Sequence, residues 1–190
     1  MRYIYNIFLA ITILVSTVSC QGSATESKRG DDSAPPSLAS KPAANDEQEF
    51  RSVLSQLRTV LKKKNLTKAS ELMNFPFFSS RASLNDKSGP AIDPISIGEY
   101  PEYINDIFNT DVVRLLPSYS EEQLSEIDLK TDDPYYSSLA KLTDSGSHLY
   151  EVYFQYPESG TNAESFFGFV FGKVKGKYKA VGMYGKWPIK

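Results

Sequence analysis

The hydrophobic positions of this chain follow a helical period in its middle and an alternating period near its end. Phe50, Val53, Leu54, Leu57, Val60 and Leu61 recur on one helical face, with Arg51, Gln56, Arg58 and Lys62 elsewhere. Asn45 and Gln48 form a capping pair at its start, and Lys62, Lys63 and Lys64 complement the helix dipole at its end. A second short helix is predicted from Thr67, as N-cap, to Met73, and Pro76 stops it. The Ser-, Asn-, Asp- and Pro-rich stretch 79–94 reads as a loop. A third helix is predicted from Pro101, carrying Tyr103, Ile104, Ile107 and Phe108. Val112, Val113, Leu115 and Leu116 either extend it or form a separate turn before Pro117.

The period then changes. In the stretch 148–156, Tyr150, Val152, Phe154 and Tyr156 share one face, and Leu149, Glu151, Tyr153 and Gln155 share the other. Residues 165–174 form a second strand with Phe167, Phe169 and Phe171 aligned, and Lys175-Gly176 turns the chain into a third, 177–184. A short strand over 138–143 precedes a turn at Asp144-Ser145-Gly146-Ser147. Helices followed by an antiparallel meander define an α+β fold.

The N-terminus follows neither period. Arg2 is the one charge before Cys20, and an apolar run from about Ile4 to Val15 leads to small residues. The run is shorter and more polar than the ~20 apolar residues a spanning helix needs, so it reads as a signal peptide. Val15-Ser16-Thr17-Val18-Ser19-Cys20 resembles a bacterial lipobox, although Thr17 stands where an apolar residue is usual. The resemblance implies cleavage after Ser19 and a diacylglycerol on Cys20, with palmitate among the acyl chains. Cys20 is the sole cysteine, and lipidation accounts for a thiol that has no disulfide partner. Residues 20–45 have almost no apolar content beyond Leu38 and read as a flexible tether reaching roughly 25–30 Å. That leaves one folded domain, 46–190. Its expected setting is the bacterial cell envelope, with the outer membrane favoured because Gln21 lacks an acidic retention signal.

The order of elements in 46–190 resembles the NTF2-like superfamily (SnoaL-like, cystatin-like cone). The helix from Phe50 to Leu61, Phe75-Pro76-Phe77, Tyr103 to Phe108, and the hairpin from Phe169 to Met183 carry this resemblance. It implies N-terminal helices packed on a curved antiparallel sheet around a cone-shaped apolar pocket, and it leaves the function open.

Charge and residue chemistry narrow the function. Without Arg2 the mature chain has 20 basic and 23 acidic residues, a balance that offers nucleic acid no basic surface. Cofactors and metals are not expected. One histidine and no mature thiol exclude the usual zinc sets, and Asp128, Asp132 and Asp133 lack calcium-loop spacing. His148 and Glu151 are the weak candidates for a general base. Tyr150, Tyr153 and Tyr156 are candidates for lining a ligand site, since tyrosine suits surfaces that are half apolar and half wet. Lys173, Lys175, Lys177 and Lys179 read as guards on an exposed sheet edge. The expected role is therefore non-catalytic binding of a protein partner or small apolar ligand by a lipid-anchored domain. The alternative is a pocket enzyme, hydrolase or isomerase, using Glu151 or His148.

Overall fold

A 20-residue helix, α1 (Ala43–Lys62), buries Phe50, Val53, Leu54, Leu57 and Leu61 on the face its periodicity marks. The computed structural model describes residues 43–81, 92–130 and 132–186, so the expected signal peptide, Cys20 and all but the last three residues of the expected tether lie outside the described residues, and those three belong to α1. Because α1 starts at Ala43, Asn45 lies inside the helix, and its amide donates to Glu49 at 2.7 Å instead of capping the end. The C-terminus closes through Lys64 in the left-handed region (φ 53°), with Asn65 N–H donating to Val60 C=O at 3.1 Å. This is a Schellman closure with lysine where glycine is usual.

Helix α2 (Leu66–Ala69) is capped by the Asn65 side chain, not by Thr67, and a 3-10 turn (Ser70–Leu72) follows it. Met73 does not end that helix; it opens strand β1 (Met73–Arg81). Pro76 sits in this strand where its pairing is irregular, between Met73 and Phe78, so its missing N–H breaks no regular ladder. The predicted loop 79–94 is largely sheet where it is described. Ser79 and Ser80 pair with Asp93 and Ile92 of β2 (Ile92–Ile95), because pairing with neighbouring strands overrides the low strand propensity of these residues.

Helix α3 (Tyr100–Ile107) starts with Pro101 in its first turn, as read from the sequence. Phe108 leaves helical geometry, and Asn109 caps a separate helix α4 (Thr110–Leu115) by accepting from the amides of Asp111 and Val112. After two 3-10 turns, Leu116–Ser118 and Glu121–Gln123, comes β3 (Leu124–Ile127), a short edge strand without a sequence signature. The strand predicted over 138–143 is instead helix α5 (Pro134–Ala140). Asp133 accepts from Tyr135 N–H at 2.8 Å, Pro134 takes the first turn, and Tyr135 and Leu139, four apart, are buried on one face.

The meander β4 (Leu149–Pro157), β5 (Glu164–Val174) and β6 (Lys177–Gly185) matches the alternating pattern to within a residue or so. The six strands form one curved sheet ordered β2-β1-β6-β5-β4-β3, with β1 parallel to β6 and the other pairs antiparallel. Because β5 and β6 are interior strands, the hairpin lysines guard no edge. Lys173 pairs with Asp46 and Glu49 of α1 at 2.7 and 2.8 Å, and Lys179 donates to the Met73 carbonyl.

Both faces of the sheet are covered. Helices α1, α3 and α4 pack on the face of Tyr150, Val152, Phe169 and Phe171, while α5 packs on Leu149, Val170 and Val181. Aromatic rings fill the space on the α1 side. Phe50 stacks on Tyr150 at 4.7 Å and meets Phe171 at 5.3 Å, and Phe108 stacks on Phe169 at 5.9 Å. Where the family resemblance implies an apolar cone, these rings are in mutual contact.

Candidate functional site

Strand alternation sends Glu151 to the face away from α1, beneath α5. There it is 7% exposed, and its Oε1 accepts from Tyr136 Oη at 2.7 Å and Tyr184 Oη at 2.8 Å. Three elements thus converge on one carboxylate oxygen: α5 supplies Tyr136, β4 supplies Glu151 and β6 supplies Tyr184. Burial first, and the Glu151 charge with it, holds both phenols protonated well above the usual tyrosine range. The phenols therefore act as fixed donors to the carboxylate.

Glycines make this arrangement possible. Gly168 faces Tyr184 across β5 and β6, and a Cβ there would lie 2.5 Å from the Tyr184 ring. Gly182 leaves similar room for the Tyr135 hydroxyl, which a Cβ would approach to 2.6 Å. The rings of Tyr153, Phe166 and Tyr184 lie side by side at 6.2–6.4 Å, and Tyr136 stands nearly perpendicular to Tyr184.

His148 is not part of this cluster. It lies near the start of α1, with Nδ1 2.6 Å from Glu126 Oε1, its amide directed at Asp46, and its carbonyl accepting from Tyr178 Oη. The two candidate bases are thus in separate places. Nor does the structure bring the three candidate tyrosines together. Tyr150 and Tyr156 face the α1 core, Tyr153 lies on the α5 side, and Tyr150 contributes to a 180 Å³ cleft with Arg51, Glu121 and Glu126. Burial pushes the Tyr150 phenol up to about 12.

The more open concavities flank α1. A 350 Å³ groove runs between α1, the Ser70–Leu72 turn and the β5–β6 hairpin, with Val53, Leu72 and Tyr178 on its floor and Glu49, Glu71 and Lys179 at its rim. A second groove of 280 Å³ shares Gln56, Glu71 and Leu72 with it and extends to Val60 and Lys68. Val53 to Val60 span about 10 Å of helix at 1.5 Å per residue.

Among the described residues, no group of three or more His, Cys, Asp or Glu side chains is placed to hold a metal, and no helix is long and apolar enough to cross a membrane. Asp133 is used in capping α5, and Asp128 accepts from the Lys130 amide.

Sequence reasoning missed Tyr136, Tyr184 and the groove. Tyr184 could have been found from strand alternation across a known register. Tyr136 lies on α5, just before the stretch 138–143 predicted as a strand, and the Asp133-Pro134 helix start is the signal that could have placed it.

No protein-family model matches the chain, and no curated protein matches it. Among solved structures it is similar to an NTF2-like protein with a cystatin-like fold from Novosphingobium aromaticivorans, at 11% identity over 75% of this chain and 81% of that one, with a TM-score of 0.38. It is also similar to a variant designated Rd1NTF2_05, at 13% identity over 75% of this chain and 98% of that one, with a TM-score of 0.35. At these identities and scores, neither likeness carries a role to this chain.

Proposed function

We propose that the chain is a bacterial envelope lipoprotein whose NTF2-like domain binds an extended segment of a protein partner along the flank of α1. Cleavage after Ser19 leaves a diacylglyceryl Cys20, and the tether 20–45 holds the domain clear of the membrane, the outer membrane being favoured. The observation that supports binding is the pair of adjoining grooves. Their floor of Val53, Val60 and Leu72 under a rim of Glu49, Glu71, Lys68 and Lys179 has the apolar centre and polar margin of a protein interface. A closed cavity for a small apolar ligand would bury most of the ligand's surface among apolar groups, and these grooves do not.

The test is site-specific photocrosslinking in cells, with the full-length lipoprotein carrying a benzophenone residue in place of Gln56 or, as a control on α3, Glu102. Discrete adducts are expected at the Gln56 position and not at Glu102, and Leu72→Asp should abolish them. Equal labelling at both sites would count against the reading. Adducts with a small apolar molecule in place of a protein would shift it to ligand carriage. The catalytic alternative with Glu151 or His148 as general base makes its own demand: Glu151→Gln and His148→Gln together must change the phenotype of the lipoprotein's deletion strain.

A further inference from the structure

Glu151 is a buried carboxylate with phenol donors and no counter-ion: among the described residues, no Lys, Arg or His lies within salt-bridge distance of it. Buried charges are ordinarily paired, because Coulomb attraction must offset lost hydration. The other buried carboxylate among the described residues, Asp46, has its partner in Lys173. The surroundings of Glu151 are aromatic. Tyr153 and Tyr184 lie near-parallel at 6.4 Å, Phe166 adjoins both, and Tyr136 meets Tyr184 at 88° to form a corner with the carboxylate at its base. Tyr136, Tyr153, Phe166 and Tyr184 are all partly exposed, so the corner reaches the protein surface.

We propose that this corner, on the face of the sheet away from the α1 grooves, is a binding site for a small free organic ammonium ion, with Glu151 as the counter-charge and the aromatic faces as its walls. Ring quadrupoles attract a cation and favour a weakly hydrated methylated ammonium, which gives up little solvation on contact. The two phenols already bonded to Oε1 hold the carboxylate in place before the ligand arrives. The site is independent of the groove proposal and stands or falls separately.

Choline and its neutral carbon isostere, 3,3-dimethyl-1-butanol, provide the test, because they share a shape and differ in charge. The full chain in detergent, with ¹³C-labelled tyrosine rings, is titrated with each at constant ionic strength. Choline should produce saturable shifts in the Tyr136, Tyr153 and Tyr184 ring signals, and the isostere should bind at least about tenfold more weakly. Glu151→Gln, in which the amide oxygen still accepts from the phenols, should weaken choline binding by a similar factor. Tyr153→Leu keeps the carboxylate and both phenols and should also weaken it, so the test survives if Glu151→Gln does not fold. Equal binding of choline and isostere, choline affinity unchanged in both variants, or no saturable shift with choline would each overturn the proposal.

Discussion

The ion pair between Asp46 and Lys173 ties the first turn of α1 to the end of the interior strand β5, and it sets a pH window. Burial opposes ionisation of Asp46, but the hydrogen bond and charge of Lys173, with the His148 amide, outweigh it, and the pKa lies below the ordinary carboxylate value. Lys173 is also opposed by burial, yet the bonds from Asp46 and Glu49 raise its pKa. A depressed acid stabilises the fold above its unfolded pKa near 3.9 and loses that contribution as pH falls through the folded value; a raised base does so below about 10.4 and loses it as pH rises. The pair therefore contributes fully between roughly pH 4 and 10. Asp46→Asn should lower stability by about 1–3 kcal/mol at pH 7 in urea melts, and the gap to wild type should close as pH falls below about 4. Gly182 makes a second prediction at this scale. A methyl there would come within 2.6 Å of Tyr135 Oη and 2.8 Å of the Phe78 carbonyl, so Gly182→Ala should cost about 1–3 kcal/mol in the same assay.

At the scale of elements, the β5–β6 hairpin shows how distant residues fix a local turn. Lys175 and Gly176 both have positive φ, 52° and 78°, as a two-residue I′ turn requires. Their amides donate to the Asp144 carboxylate at 2.9 and 2.6 Å, so a residue some thirty positions upstream caps the turn. Asp144→Ala should cost about 1–2 kcal/mol and abolish the hydrogen-exchange protection of the Lys175 and Gly176 amides. The Lys-Gly signal was legible in the sequence, and the cap was not. The same contrast separates α1 from α5. The long helix is marked by six apolar residues at helical spacing, whereas α5 spans seven residues and buries just Tyr135 and Leu139, a pattern short enough to pass for a strand. Its Asp133-Pro134 start was the better signal.

For the whole molecule, the anchor is the prediction with the sharpest biochemical readout. Metabolic labelling with palmitate should mark the wild-type chain and fail to mark Cys20→Ala, and label retained in the variant would remove the lipoprotein reading. The expectation for Cys20 rests on the sequence alone, because processing signals are linear and read by enzymes from an unfolded segment. The α+β order and the three meander strands were legible because their apolar and aromatic residues recur at helical or alternating spacing, even though the strands bury residues on both faces. What the residues could not state alone was which side each face would meet. Glu151 was known to alternate with Tyr150, but α5 had to pack on that side, and β6 had to bring Tyr184 opposite Gly168, before the carboxylate acquired its two donors. Likewise the grooves lie where the Ser70–Leu72 turn and the β5–β6 hairpin meet the flank of α1. Local periodicity decides which residues leave water; the packing of elements distant in sequence decides whether they meet a core, a carboxylate or an open groove.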